Sequence, residues 1–213
     1  MKHKGKHFGR AFTLIELLVV IGIIGLLIGG VGLGLRGGNQ TTGLQAAQST
    51  LASMIRIARG QAALKQQRAG VFININASSD RYLRHIIVAV DISATQTNPG
   101  TWIPVDDGVT LPQGVYVVPY VAPNAAFASL NSTALNAAPV NLIISSTTTD
   151  AYAYFSISTV GSSSSTGNIV VSTAIIKTNT GVPLLTFDNA NNVRGISISQ
   201  YGIATLINES TGF

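Results

Sequence analysis

The sequence predicts an α+β chain: one long N-terminal helix, apolar enough to be transmembrane in its first half, then a β-sheet-rich globular head. Three observations carry this. Residues Leu17 to Leu35 include no charged side chain. From Leu44, apolar residues recur at Ala47, Leu51, Met54, Ile55, Ala58 and Ala62, which is helical spacing. Past Val71 the chain changes to short β-branched or aromatic runs parted by turn residues. The expected organisation is a basic leader at 1–11, a transmembrane helix at 12–35, a glycine-rich hinge and amphipathic helix at 36–70, and a β-rich head at 71–213.

The leader is "MKHKGKHFGRA", and it holds Lys2, Lys4, Lys6 and Arg10. These are four of the thirteen cations, and the other nine face all eight acids. The net charge of +5 is thus mostly a property of the leader, which removes it as a whole-domain argument for nucleic acid. A cationic flank before an apolar span places the N-terminus in the cytoplasm and the bulk across the membrane. The uncharged span from Leu17 to Leu35 would be about 28 Å long as a helix, close to the hydrocarbon thickness of a bilayer. A removable signal peptide has a shorter apolar region, about 7–15 residues, ending at a small-x-small site. Here a glycine run and Arg36 follow instead. A plain single-pass anchor is the stronger alternative.

Neither alternative explains Glu16. A lone acid in a spanning helix costs up to about 2.5–3.5 kcal/mol on insertion scales, less near the interface, and marks a functional position by default. No Lys or Arg lies within a few turns on its C-terminal side. Its partner must come from elsewhere, and a new N-terminal amine is one candidate.

The stretch "AFTLIELLVVI" resembles the processing site of type IV pilins and type II secretion pseudopilins. The resemblance covers about 24 residues. It implies that a prepilin peptidase cuts between Ala11 and Phe12 and that Phe12 is N-methylated. Glu16 would then be the fifth residue of the mature chain, meeting the amine of a neighbouring subunit in the filament core. Ala11 stands where glycine is usual, and both are small. The expected fold is accordingly pilin-like. The chain also lacks two features of major pseudopilins, a mid-helix proline and an acidic calcium loop near the C-terminus: the first proline is Pro99, and the C-terminal region has only Asp188 and Glu209. The resemblance is greatest to an H-class minor pseudopilin. It implies as partners other pseudopilins or pilins, the prepilin peptidase, an inner-membrane assembly platform and membrane lipid. The alternative is a minor type IV pilin serving pilus assembly or DNA uptake.

Glycines crowd the far end of the apolar segment. The spacings Gly25/Gly29, Gly30/Gly34 and Gly34/Gly38 allow close helix approach in lipid. Each interior glycine also weakens a helix by roughly 1 kcal/mol relative to alanine, so loosening near Gly37–Gly43 is expected. "GLGLRG" at Gly32–Gly37 matches the dinucleotide fingerprint by letters only. It ends an apolar segment with no preceding strand, and the next acid is Asp80. The helix is expected to run to about Arg68, with Gly70 as its stop.

Strands are expected at "VFININ", "YLRHIIVAVDI", "VYVVPY", "VNLIIS", "AYAYFSIST", "NIVVSTAIIK", "LLTFD" and "VRGISIS". The stretch Ala122–Pro139 reads as a long loop with room for a short helix. Ser162–Ser165 reads as a flexible hairpin tip.

Little in the chain suggests catalysis. There is no cysteine, and past the leader only His85 remains of three histidines. No triad, zinc set or phosphate loop can be assembled, so no enzyme activity, cofactor or metal is expected. Asp106 and Asp107 before Gly108 read as turn formers, with a weak calcium contact as the lesser option. One charge pattern stands out. Arg56, Arg59, Lys65, Arg68, Arg81 and Arg84 face only Asp80, whereas His85 to Phe213 holds two cations against six acids. Three readings are open: a solvated face, intersubunit docking of a basic spine on an acidic neighbouring head, or, least favoured, contact with duplex DNA.

Overall fold

The structure, a computed structural model, describes residues 13–93, 100–136, 138–145, 148–179, 182–187 and 189–213, with backbone alone at 27–39, 143–145, 148, 178–179 and 182–183. The chain divides into two compact units, Met1–Asn39 and Gln40–Phe213. Helix α1 is assigned from Leu14 to Lys65, and the glycine-rich stretch keeps helical backbone rather than loosening.

Why the second half of α1 belongs to the head follows from its stripe. Leu44, Ala47, Leu51, Met54, Ile55, Ala58 and Ala62 are all buried in one cluster. Residues three and four apart share a helix face, so these side chains form one continuous apolar ridge. Gln48 lies beside the ridge and is buried, but its amide donates to the carbonyls of Gly195 and Ile207, each at 2.8 Å. A buried polar group so satisfied costs little, and here it ties α1 to two strands.

The helix ends one turn earlier than the sequence suggests. Gln66 adopts a left-handed φ of 52°, and its side chain donates to the Ala63 carbonyl at 2.7 Å. That geometry terminates helices, and β1 begins at Ala69. Gly70 is therefore not the stop. It sits in β1, where an added Cβ would lie 2.9 Å from both the Phe155 carbonyl and the Phe72 ring. Close approach between strands, not a helix end, requires glycine there.

Among the described residues eleven strands form two antiparallel sheets. They are β1 (Ala69–Asn74), β2 (His85–Asp91), β3 (Trp102–Pro104), β4 (Val109–Thr110), β5 (Val115–Val117), β6 (Val140–Ser145), β7 (Thr148–Ile157), β8 (Gly167–Asn179), β9 (Val182–Phe187), β10 (Val193–Ile198) and β11 (Ala204–Ile207). The first sheet runs β3-β2-β1-β7-β6, with β4 also on β2; the second runs β11-β10-β8-β5, with β9 also on β8. All eight expected runs are strands; β3, β4 and β11 are additional.

Alternation along β1 shows how the layers form. Val71 and Ile73 join the α1 cluster, together with Val88, Phe155, Val171 and Ile196 from both sheets. Phe72 points the other way into a second cluster, stacked 5.0 Å from Tyr154 and edge-on to Trp102 at 5.0 Å. A one-residue slip would exchange these faces, so register is strongly specified.

Of two connecting segments, the first follows expectation, with a short helical turn in a long stretch, and the second departs from it in part. The stretch Ala122–Pro139 has a 3-10 turn at Ala125–Phe127, and it inserts Phe127 and Leu130 into a third apolar cluster with Tyr116, Val170 and Phe187. The serine run is the bonded return arm of a small hairpin at the end of β7 rather than its flexible tip: Ser163 bridges antiparallel to Ile157 and Ser158 N–H donates to the Ser162 carbonyl, before the chain enters β8 in the other sheet. Further bonds fix the run: Ser164 N–H donates to Ser156, Ser163 N–H to Gln200, and Ser165 Oγ to the Ala134 carbonyl.

Leu51 is fully buried while Leu64 is 80% exposed. Leu51→Ala should lower unfolding stability by about 2–5 kcal/mol, and Leu64→Ala by less than about 0.5 kcal/mol. Denaturant titration of the detergent-solubilised chain, read from its single tryptophan, Trp102, checks this.

Candidate functional site

The first described residue, Thr13, opens α1 by reciprocal hydrogen bonds. Glu16 N–H donates to Thr13 Oγ1 at 3.3 Å, and Thr13 N–H donates to Glu16 Oε2 at 3.2 Å. The Thr13 hydroxyl adds a third bond to the same carboxylate oxygen at 3.1 Å. This is a capping box, Thr-x-x-Glu, in which two orphan donors of the first helical turn are satisfied. Sequence reasoning passed over it, although T-x-x-E is legible in "TLIE". Glu16 thus has a local partner as well as the distant one expected for it. Ala11 and Phe12 lie outside the described residues.

The next turns of α1 expose apolar side chains around the whole helix. Leu14, Ile15, Leu17, Leu18, Val19, Val20, Ile21, Ile23, Ile24 and Leu26 are each between 48% and 84% exposed. A surface helix keeps one apolar stripe; one apolar all round is buried in lipid or in other protein. Among the described residues no helix is long and apolar enough to cross a membrane, and the side chains of 27–39 fall outside the description.

The six cations singled out in the sequence do not act as one patch. Arg68 is drawn inward: its guanidinium binds Asp91 at 2.6 Å and lies 5.1 Å from the Trp102 ring centroid. Arg84 donates to the Leu111 carbonyl at 2.9 Å and lies 5.6 Å from the Tyr116 ring centroid. Both serve the head's own packing. Arg56, Arg59, Lys65 and Arg81 are exposed. Arg56 and Arg59 rim a groove of about 410 Å³ floored by Ile203 and Leu206. Lys65 borders a groove of about 320 Å³ on another flank of α1, beside Ile103 and Val105.

The acids divide likewise. Asp91 and Asp150 are buried, Asp188 lies outside the described residues, and Asp106, Asp107 and Glu209 are exposed. Asp150 is held by the side-chain amides of Asn74 and Asn76 at 2.9 and 2.8 Å. Asp91 is a hub that sequence reading missed. It accepts from Ser93 N–H at 3.0 Å, Ser93 Oγ at 2.6 Å and Thr101 N–H at 3.0 Å, besides Arg68. Burial pushes its carboxyl up, but the bonds from Ser93, Arg68 and Thr101 outweigh burial and hold it below the usual carboxylate range. The charge contrast on the surface is therefore smaller than in the sequence.

His85 has a structural setting. Its Nε2 donates to the Asp107 carbonyl at 2.8 Å, which leaves Nδ1 to accept from the Tyr152 hydroxyl at 3.0 Å. Both nitrogens are occupied in the neutral ring, and burial lowers the pKa further than the Asp107 bond restores it. Asp106 closes its turn by accepting from Gly108 N–H at 2.9 Å, with Gly108 at φ +76°. Among the described residues no group of three His, Cys, Asp or Glu converges on a metal position.

Comparison with known proteins bears on the N-terminal segment. Residues 9–32 match the family model described as the prokaryotic N-terminal methylation motif. The chain thus carries this motif at its N-terminus, followed by an antiparallel β-sheet head. No curated protein matches. A solved structure, the type IV minor pilin FimU of Pseudomonas aeruginosa strain PAO1, is similar at 13% identity and a TM-score of 0.41, over 79% of this chain and 90% of that one.

Both Asp91 and His85 titrate below their ordinary values, so both stabilise the head at neutral pH and withdraw that support on acidification. Denaturation midpoints should fall as pH drops below about 6.5, where unfolded histidine protonates, and again below about 3.9 for aspartate. His85→Gln should flatten the first fall, and Asp91→Asn the second.

Proposed function

We propose that this chain is a minor pseudopilin: a structural subunit of the pseudopilus of a type II secretion system, which drives protein secretion. The observation that carries the proposal is the match of residues 9–32 to the N-terminal methylation motif, continued by an apolar helix exposed on all sides. In this reading residues 1–11 are the leader, 12–35 the membrane and filament-core helix, 36–70 the glycine-rich continuation and amphipathic helix, and 71–213 the head.

The precursor sits in the bacterial inner membrane with its N-terminus cytoplasmic and its head periplasmic. A prepilin peptidase cuts between Ala11 and Phe12 and methylates Phe12. The subunit then passes through an inner-membrane assembly platform, leaves lipid, and joins other pseudopilins or pilins. Its mechanism is packing rather than catalysis. The apolar side chains from Leu14 onward exchange lipid for neighbouring helices, and the Glu16 carboxylate meets the amine of an adjacent subunit. At about 4 Å and an effective dielectric near 20, such a pair attracts by roughly 4 kcal/mol. That is enough to offset the cost of an acid in an apolar layer.

Mass and N-terminal analysis of the membrane-extracted chain tests this. With a prepilin peptidase present the chain should begin at N-methyl-Phe12, and without it at Met1. A chain beginning at Met1 in both cases would make this a membrane-anchored β domain outside any filament. A type IV pilus shares the same processing. Loss of secretion on deletion, with pili intact, separates the pseudopilus from it.

A further inference from the structure

One side of the head gathers exposed apolar side chains beside unpaired cations. A groove of about 410 Å³ opens between α1 and the β10–β11 connection, with Arg56 and Arg59 on one wall and Ile203 and Leu206 on the other. Ile203 and Leu206 are 50% and 52% exposed, and Leu206 stands on β11, the edge strand of its sheet.

The apolar surface continues past the groove. A Cβ added to Gly161 would lie 3.6 Å from the Arg59 guanidinium, and one added to Gly202 would lie 2.8 Å from the Gly161 carbonyl. The turn after β7 and the turn before β11 therefore pack together beside Arg59. Val160 and Tyr201, the chain neighbours of those glycines, are 86% and 63% exposed. Four large apolar side chains thus adjoin two arginines, and among the described residues neither arginine has an ion pair.

The chemistry of this surface narrows what can cover it. Contiguous exposed apolar area rimmed by polar groups marks contact with protein or membrane. A bilayer presents a broad face and would leave a concavity unfilled, whereas protein side chains enter it. Duplex DNA would pair phosphates with the arginines and leave Val160, Tyr201, Ile203 and Leu206 bare. Protein contacts are enriched in tyrosine and arginine and depleted in lysine, and both cations here are arginine. A guanidinium also binds a carboxylate through two parallel hydrogen bonds.

We propose that the Arg56/Arg59 groove docks an acidic segment with apolar side chains from a different subunit of the same filament. Its carboxylates meet the arginines, and its apolar side chains cover Ile203 and Leu206. This rests on the minor-subunit reading above and names the neighbour's chemistry within it: a minor subunit is outnumbered, so the heads beside it belong to other chains. Apolar burial supplies the affinity, and the charges choose partner and register.

The test uses the full-length chain, carrying a benzophenone amino acid at position 206, produced in cells together with its filament system and irradiated. The expected adduct joins this chain to a different protein that has its own N-terminal methylation motif, at a segment with Asp or Glu within a few residues. The same label at position 109, where Val109 is 40% exposed in the other sheet, should not give it. Arg56→Glu with Arg59→Glu should cut the adduct by more than about tenfold, because like charges then meet. Lysine at the mapped acids of the partner should restore it, which a misfolded variant could not do. Adducts only to a second copy, to lipid or to DNA would overturn the proposal, and so would an adduct that ignores the charge reversal. No adduct from chains trimmed to Phe12 would overturn it and leave the filament reading intact. The expected adduct from untrimmed chains would support the docking surface while removing the filament.

Discussion

The structure of the head depends on the apolar ridge of α1 from Leu44 to Ala62. The largest apolar cluster has no centre without it, because residues facing inward from β1, β2 and β7 and from β5, β8 and β10 meet in the cluster that the ridge fills. A domain of this size needs one continuous apolar interior, and here a helix supplies its middle. Gln48, bonded to strands β10 and β11 at once, fixes the helix along its axis where packing alone would let it slide. The same helix carries exposed apolar side chains from Leu14 to Leu26 in its first turns. One element thus supplies the interior of the head with one stretch and an exposed apolar surface with another.

Charge is used sparingly and in two ways. Asp91, Arg68, Asp150, Arg84 and His85 are consumed inside the head, each held by named hydrogen bonds or ring contacts. Asp91 joins Ser93 and Thr101, the flanks of the segment between β2 and β3, through one carboxylate. A buried acid with that many donors is stabilising only while it is charged, so its support is lost only under strong acidification. The cations left at the surface are few, and Arg56 and Arg59 stand together over apolar side chains. Sparse charge makes each remaining one more informative about partners.

Much of this was legible in the sequence. The α1 ridge followed from spacing, and eight strands followed from β-branched runs between turn residues. The failures were non-local. Gly70 reads as a helix stop after a polar run, yet the Phe155 backbone decides its role from eighty-five positions away. The serines at 162–165 look like a flexible tip because their bonds to Gln200 and Ala134, far along the chain, leave no local trace. Strands β3, β4 and β11 have two to four residues, too short to show a period, and β3 contains Pro104. The six cations formed a block in sequence, but Arg68 and Arg84 are taken by partners that spacing cannot reveal. Glu16 was noticed for its cost in an apolar helix, and that cost hid the ordinary capping pattern it makes with Thr13.

Those two roles of Glu16 can be separated, because glutamine at the same helical position keeps the capping geometry and removes the charge. The most direct test of the account is the filament content of cells producing Glu16→Gln, with processing followed in the same samples. The account predicts a chain trimmed to Phe12, folded and membrane-bound, that is lost from sheared filaments because the neighbour's amine has no counter-charge. Incorporation at the wild-type level would contradict it, and would reduce Glu16 to the first-turn cap of α1.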